Sequence, residues 1–123
     1  MNKILIVEDD AQTLNVLKLK LSAKKFSFDL ALDGEDALKK IKENEYSLVV
    51  LDLLIPKING FDVLKIIRED KKNKDLKVVV FTNLNDPDTK EKVMSLGANL
   101  YVAKADMSVN DFMKIVAEYS TIK

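Results

Sequence analysis

Leu48-Val49-Val50-Leu51-Asp52 decides the fold: four apolar residues in a row, with no polar alternation, ending on an acid. A short unbroken run of this kind reads as a strand buried on both faces of a parallel sheet. Three more runs share its form, Ile4-Leu5-Ile6-Val7, Val78-Val79-Val80-Phe81 and Leu100-Tyr101-Val102-Ala103. A fifth stretch, Phe26-Ser27-Phe28-Asp29-Leu30-Ala31-Leu32, alternates partly, as a half-exposed edge strand does. Between the strands lie amphipathic stretches near 12–20, 35–43, 60–70, 87–96 and 109–119, each long enough for a crossover helix. Asp86-Pro87 places a cap before a first-turn proline, Ser108-Val109-Asn110-Asp111 fits a capping box, and Gly97 suits the end of the fourth helix. Repeated β-α order implies right-handed crossovers and an α/β, doubly wound sheet with helices on both faces. A closed barrel would need about twice the length.

Composition agrees with one domain over residues 1–123, because 47% hydrophobic residues in 123 suffice for a core without disulfides or a structural metal. Zero Cys and zero His exclude thiol nucleophiles, Ser-His-Asp triads and nearly all zinc sites, and leave no residue to carry a phosphohistidine. Chemistry falls to carboxylates, hydroxyls or lysine. Twenty basic residues balance twenty acidic ones and Arg68 is the only arginine, so no nucleic-acid footprint is expected. Apolar runs of four are far below the roughly twenty residues that span a bilayer, so a soluble, cytoplasmic protein is expected, without membrane contact.

Two helices carry faces of note. In the last one Val109, Phe112, Val116 and Tyr119 share a face that should pack on the sheet. In the first, Leu14, Leu17 and Leu21 form one stripe, while Val16, Leu19 and Ala23 form another roughly opposite. One sheet cannot bury both, so the second stripe meets either a neighbouring helix or a docking partner.

A polar residue follows each of the four apolar runs: Glu8-Asp9-Asp10, Asp52, Thr82 and Lys104. Parallel strands end on one edge, so these residues should converge in the carboxyl-end crevice where doubly wound folds bind ligands. Acids gathered there repel one another by roughly 4 kcal/mol per pair at about 4 Å and intermediate dielectric. Lys104 and a hard divalent cation, Mg²⁺, would neutralise them. Taken singly, Asp9 or Asp10 is as readily a helix cap and Asp52 a strand end. Beside Mg²⁺ a carboxylate can attack a phosphoryl group. Asp52, on an inner strand, is the expected nucleophile, with Glu8 and Asp9 as metal ligands and Thr82 donating to a phosphoryl oxygen.

These residues, in order along nearly the whole chain, resemble the receiver domain of two-component response regulators. The resemblance rests on Ile4 to Asp10, Leu51-Asp52-Leu53-Leu54-Ile55-Pro56 with Asn59-Gly60, Phe81-Thr82, Gly97-Ala98 and Tyr101-Val102-Ala103-Lys104. It implies a flavodoxin-like (βα)5 three-layer sandwich with a parallel five-stranded sheet of order 2-1-3-4-5. It also implies a stand-alone signalling module, not a turnover enzyme, phosphorylated on Asp52 by a partner histidine kinase or phosphotransfer protein. Glu8, Asp9, Asp52 and the Leu54 carbonyl would hold Mg²⁺, and Thr82 and Lys104 would bind the phosphoryl group. Thr82 and Tyr101 would form a switch that alters the surface of helix four, strand five and helix five, where an unknown output protein binds. The oligomeric state expected is a monomer or weak homodimer. Tyr101 also reads as an ordinary half-buried edge-strand aromatic.

Two positions depart from the family's pattern: Ala105 stands where proline usually follows the lysine, often after a cis bond, and Asn83 is larger than the usual small residue. A non-proline cis bond costs roughly 3–4 kcal/mol, so the Lys104-Ala105 bond should be trans, with a re-routed loop, or strained. Leu54 and Leu84 flank the crevice. The competing readings are a degenerate receiver that binds partners regardless of phosphorylation, an aspartyl-nucleophile phosphatase and a small flavin-binding protein. Against the phosphatase stands Leu54, where a second acid is normal. Against flavin stand Glu8, Asp9 and Asp10, which repel phosphate.

Overall fold

The computed structural model describes residues 3–120. Strands β1 (Lys3–Val7), β2 (Ser27–Ala31), β3 (Leu48–Leu51), β4 (Lys77–Thr82) and β5 (Leu100–Ala103) alternate with helices α1 (Ala11–Ala23), α2 (Gly34–Glu43), α3 (Gly60–Glu69), α4 (Pro87–Ser95) and α5 (Val109–Ser120). All neighbouring strands pair in parallel in the order β2-β1-β3-β4-β5, the flavodoxin-like arrangement. The chain thus crosses from one edge of β1 to the other, and the reversal of strand order opens the crevice beside β1 and β3.

Strand alternation divides the core into two layers. Ile4, Ile6, Leu48, Val50, Val79 and Phe81 face α1 and α5, where Leu14, Leu17, Leu21, Phe112, Met113 and Val116 meet them. Leu5, Val7, Val49, Leu51, Val78 and Val80 face α2, α3 and α4 through Ala37, Ile41, Val63, Leu64, Ile67 and Val93. Each fully buried Leu, Ile or Val contributes about 1.5–3 kcal/mol of transfer free energy. That is why the inner strands, past the lysines that open β1 and β4, hold no polar residue until their carboxyl ends. On α1 the second apolar stripe is left open by the described helices: Val16 is 39% and Leu19 72% exposed. On α5, Phe112 and Val116 are buried and Val109 and Tyr119 half-buried, the face expected.

The helices start on Asp10, Asp33, Asn59 and Asp86, each accepting the amide of the residue three on, Thr13, Asp36, Asp62 and Thr89. Each such cap is worth about 1 kcal/mol. At α5 Ser108 Oγ accepts from the Asp111 amide, the serine half of a capping box. Helix α4 gives way at Gly97, whose φ of 105° lies in the left-handed region. Lys104–Asp106 forms a short 3-10 turn, and no peptide bond among the described residues is cis, so Lys104-Ala105 is trans.

Candidate functional site

Glu8, Asp9 and Asp52 lie just past the carboxyl ends of β1 and β3, and one carboxylate oxygen from each falls within 4.8 Å of the others. Sheet pairing continues through them: the Glu8 amide donates to Ala31 O and the Asp52 amide to Val7 O, both at 3.0 Å. This ties the acids to rigid strands. Glu8 and Asp52 are buried, at 2% and 5% exposure, while Asp9 is open to solvent. Asp10 stands apart. Its side chain caps α1 through Thr13 and belongs to the helix, not to the cluster.

Lys104 reaches the acids from β5, with Nζ donating to Glu8 Oε1 and, at 3.2 Å, to Asp52 Oδ2. The other Asp52 oxygen, Oδ1, accepts from the Leu54 amide at 3.3 Å. Glu8 Oε2 accepts the Asp9 and Asp10 amides at 3.1 and 3.3 Å. Burial pushes the Glu8 carboxyl up to about 7; the Lys104 hydrogen bond opposes this, and the hydrogen bond and charge of Asp52 add to it. Burial works against the Lys104 ammonium too, yet the bond to Glu8 and the charges of Asp52 and Glu8 hold its pKa above the ordinary lysine value. Three acids against one lysine leave two formal negative charges, the number one divalent cation balances. A donor set of three hard carboxylate oxygens fits Mg²⁺.

The β3–α3 loop, which carries Leu54, folds back tightly at Gly60. Its amide donates to Leu53 O at 3.0 Å. A Cβ there would overlap the Asp52 carbonyl and the Leu53 Cα. Leu54 is left 54% exposed at the mouth of the site. Thr82 ends β4 fully buried, and its Oγ1 accepts from the Leu84 amide at 3.4 Å. Tyr101, half-buried on β5, donates its hydroxyl to the carbonyl of the same Leu84. One residue of the β4–α4 loop, Leu84, is therefore held by both residues named as a switch, through its amide by Thr82 and through its carbonyl by Tyr101.

A cavity of about 750 Å³ opens at the opposite edge of the sheet, among Tyr46, Ser47, Asn73 and Lys77, away from the acids. Sequence reasoning also passed over two networks. Tyr46 Oη donates to Asp29 Oδ2 at 2.7 Å and Lys3 pairs with the same oxygen at 2.9 Å. The Arg68 guanidinium bonds Gly97 O, Asn73 O and Asn99 Oδ1, each at 2.9 Å. The lone arginine at the end of an apolar helix face was the one available signal for the second network.

The family model described as the response regulator receiver domain matches residues 4–117. Response regulator ArlR of Staphylococcus saprophyticus is 35% identical over 104 residues, covering 85% of this chain and 46% of that protein. ArlR of Staphylococcus aureus is 33% identical over the same shares. The chain spans about half the length of the curated relatives it matches. Among solved structures, a response regulator from Chloroflexus aurantiacus superposes with a TM-score of 0.87 at 29% identity, covering 96% of both chains. The response regulator TrrA of Thermotoga maritima, solved in complex with Mg²⁺-BeF, gives 0.82 at 32% identity, covering 97% of this chain and 99% of that one.

Proposed function

This chain belongs to the response regulator receiver domain family, a signalling module of two-component systems, and on that premise we propose that Asp52 is its phosphoacceptor. The observation that carries this reading is the Lys104 ammonium bonded to both Glu8 and Asp52, with Asp9 within reach. Fully ionised, such a cluster calls for more positive charge, and the family's chemistry supplies both the charge and a use for it.

The donor is a phosphohistidine on a histidine kinase or phosphotransfer protein, since this chain has no histidine of its own. An Asp52 oxygen attacks phosphorus, the P–N bond breaks, and its electron pair leaves with the donor imidazole. Glu8, Asp9, Asp52 and the Leu54 carbonyl would hold Mg²⁺. When bound, the ion neutralises charge on the phosphoryl oxygens. Lys104 keeps a cation beside the phosphoryl group, and burial of Asp52 strengthens that attraction. Thr82 Oγ1 turns to donate to a phosphoryl oxygen and so gives up the Leu84 amide. That loosens Leu84, whose carbonyl Tyr101 holds, and changes the surface of α4, β5 and α5 offered to an output protein.

Docking of the donor is supported by exposed Leu54 beside Asp52 and by exposed Val16 and Leu19 on α1. The charged residues of α1 are Lys18 and Lys20, with no acid, so an acidic flank on the partner would complement it. We assign the whole chain to one cytoplasmic domain acting as a monomer or weak homodimer. No described helix is long and apolar enough to cross a membrane.

The test is labelling with a small phosphodonor, with and without Mg²⁺, against Asp52→Asn. Mg²⁺-dependent label in wild type and none in D52N is expected. No label in wild type overturns the phosphoacceptor reading and leaves a receiver that binds partners without phosphorylation, which the Ala105 departure would accommodate.

A further inference from the structure

Phe81 stands in the same row as the acids. Val7 pairs with Leu51 and Leu51 with Val80, so the residues that follow, Glu8, Asp52 and Phe81, sit side by side on β1, β3 and β4. All three belong to the face that looks toward α1 and α5, by alternation from Ile6, Val50 and Val79. Phe81 in turn pairs with Val102 of β5. Lys104 follows two residues beyond Val102, which brings it up from that same face. To reach Asp52 on β3 its side chain must cross β4, a span of two interstrand spacings of about 4.8 Å each.

The side chain it must cross is Phe81. Lys104 Nζ lies 5.7 Å from the centre of the Phe81 ring. That ring is fixed from below, stacked on Phe112 at 3.9 Å and 12°. Phe112 is fully buried, so the stack cannot swing aside without opening the α5 layer. An aromatic face is the one apolar surface that also attracts a cation, which suits a lysine crossing a desolvated row to an acid.

We propose that Phe81, backed by Phe112, is a positioning residue that carries Lys104 across β4 to Asp52 and Glu8. It touches none of the reacting atoms and acts through the lysine. The inference rests on the phosphoacceptor reading for its consequence, though not for its geometry. It explains why an aromatic ends the third apolar run, where valines fill the other three positions.

The experiment compares wild type, Phe81→Leu, Phe81→Tyr and Phe112→Leu for binding of beryllofluoride with Mg²⁺, the phosphoryl mimic, and repeats F81L in a Lys104→Ala background. F81L and F112L should weaken beryllofluoride binding by about three- to tenfold, the range of a partly desolvated cation–π contact. F81Y, which keeps the ring, should bind like wild type, and F81L should add nothing once Lys104 is gone. In ligand-free protein, the nuclear Overhauser contact between Lys104 Hε and Glu8 Hγ should be strong in wild type and lost in F81L. Wild-type affinity in F81L, or an equal loss in the K104A background, would overturn the proposal by showing Phe81 to be core alone. If wild type itself binds no beryllofluoride, the phosphoacceptor reading fails instead. The Lys104–Glu8 contact then decides the positioning role, its persistence in F81L refuting it.

Discussion

Raising the pH of the metal-free protein should weaken it where Glu8 is present and spare it where glutamine replaces it. In the unfolded chain Glu8 ionises near its ordinary 4.5, whereas in the fold burial delays ionisation to about 7. Between those values the folded state binds more protons than the unfolded one, so stability falls as pH rises, by up to about 1.4 kcal/mol per pH unit. Across the whole gap the loss approaches about 3 kcal/mol, a large part of the 5–15 kcal/mol typical of a domain. Lys104 adds no slope there, because its raised pKa keeps it charged in the fold and its ordinary value keeps it charged when unfolded. Glu8→Gln keeps the side-chain volume and an oxygen facing Lys104 but cannot titrate. The assay is urea denaturation in chelator at about pH 5 and about pH 7.5, with the wild-type minus E8Q difference as the readout. Mg²⁺, which needs Glu8 ionised, should bind more tightly as pH rises through the same window and reverse the wild-type loss. A wild-type protein that holds its margin over E8Q between the two pH values in chelator would refute the reasoning.

The other predictions concern parts that support the site. Arg68→Lys keeps the charge but loses the fork to Gly97, Asn73 and Asn99, and should cost about 2–4 kcal/mol in urea denaturation; wild-type stability would show the fork to be idle. Gly60→Ala forces a Cβ into the Asp52 and Leu53 backbone, and should lose more than about 1 kcal/mol and slow Asp52 labelling. Tyr101→Phe removes the hydroxyl bond to Leu84 and should cost about 1 kcal/mol, with faster amide exchange at Asn83 to Asn85; unchanged exchange would separate Tyr101 from the loop. Burial opposes the Asp29 charge, but the Tyr46 and Lys3 hydrogen bonds and the Lys3 charge hold its pKa below the ordinary value. Its contribution is therefore present above that value and lost as pH falls through the lowered one, so the stability gap between wild type and Tyr46→Phe should shrink below about pH 4.

The layout of strands and the gathering of Glu8, Asp9, Asp52 and Lys104 were legible because both follow from residue type and topology. An apolar run that admits no polar residue must be inside, and its first polar residue must sit at an edge. What stayed hidden are bonds whose acceptors carry no signature. Arg68 binds two backbone carbonyls, at Gly97 and Asn73, and any residue type offers a carbonyl. Asp10 looked like a fourth member of the acid cluster and proved to be a cap, since a carboxylate next to a helix start serves either role equally well by sequence. The Lys104-Ala105 bond, which the sequence left open between trans and strained, is trans.

The alternation that reveals the strands also sets how a charge at Asp52 can be read elsewhere. Glu8 and Asp52 continue the register positions that face α1 and α5, together with Phe81. Thr82 continues the positions of Val78 and Val80, which face the other layer, where Tyr101 packs. On the proposed function, chemistry on one side of the sheet would have to reach α4 on the other, and the close-packed strands between offer no slack to carry a displacement. The route is over the rim. Lys104 spans the rim above Phe81 on one side, and Leu84 joins Thr82 to Tyr101 through its amide and its carbonyl on the other. A hydroxyl that turns toward a phosphoryl group leaves the Leu84 amide without its partner, so the loop must re-form that bond or move. Either response is felt by the tyrosine bonded to the carbonyl of the same residue. Coupling of this kind needs two bonds to one residue, on its amide and on its carbonyl, at a strand end rather than in a strand. That is why the residues of the proposed switch lie where sheet pairing stops.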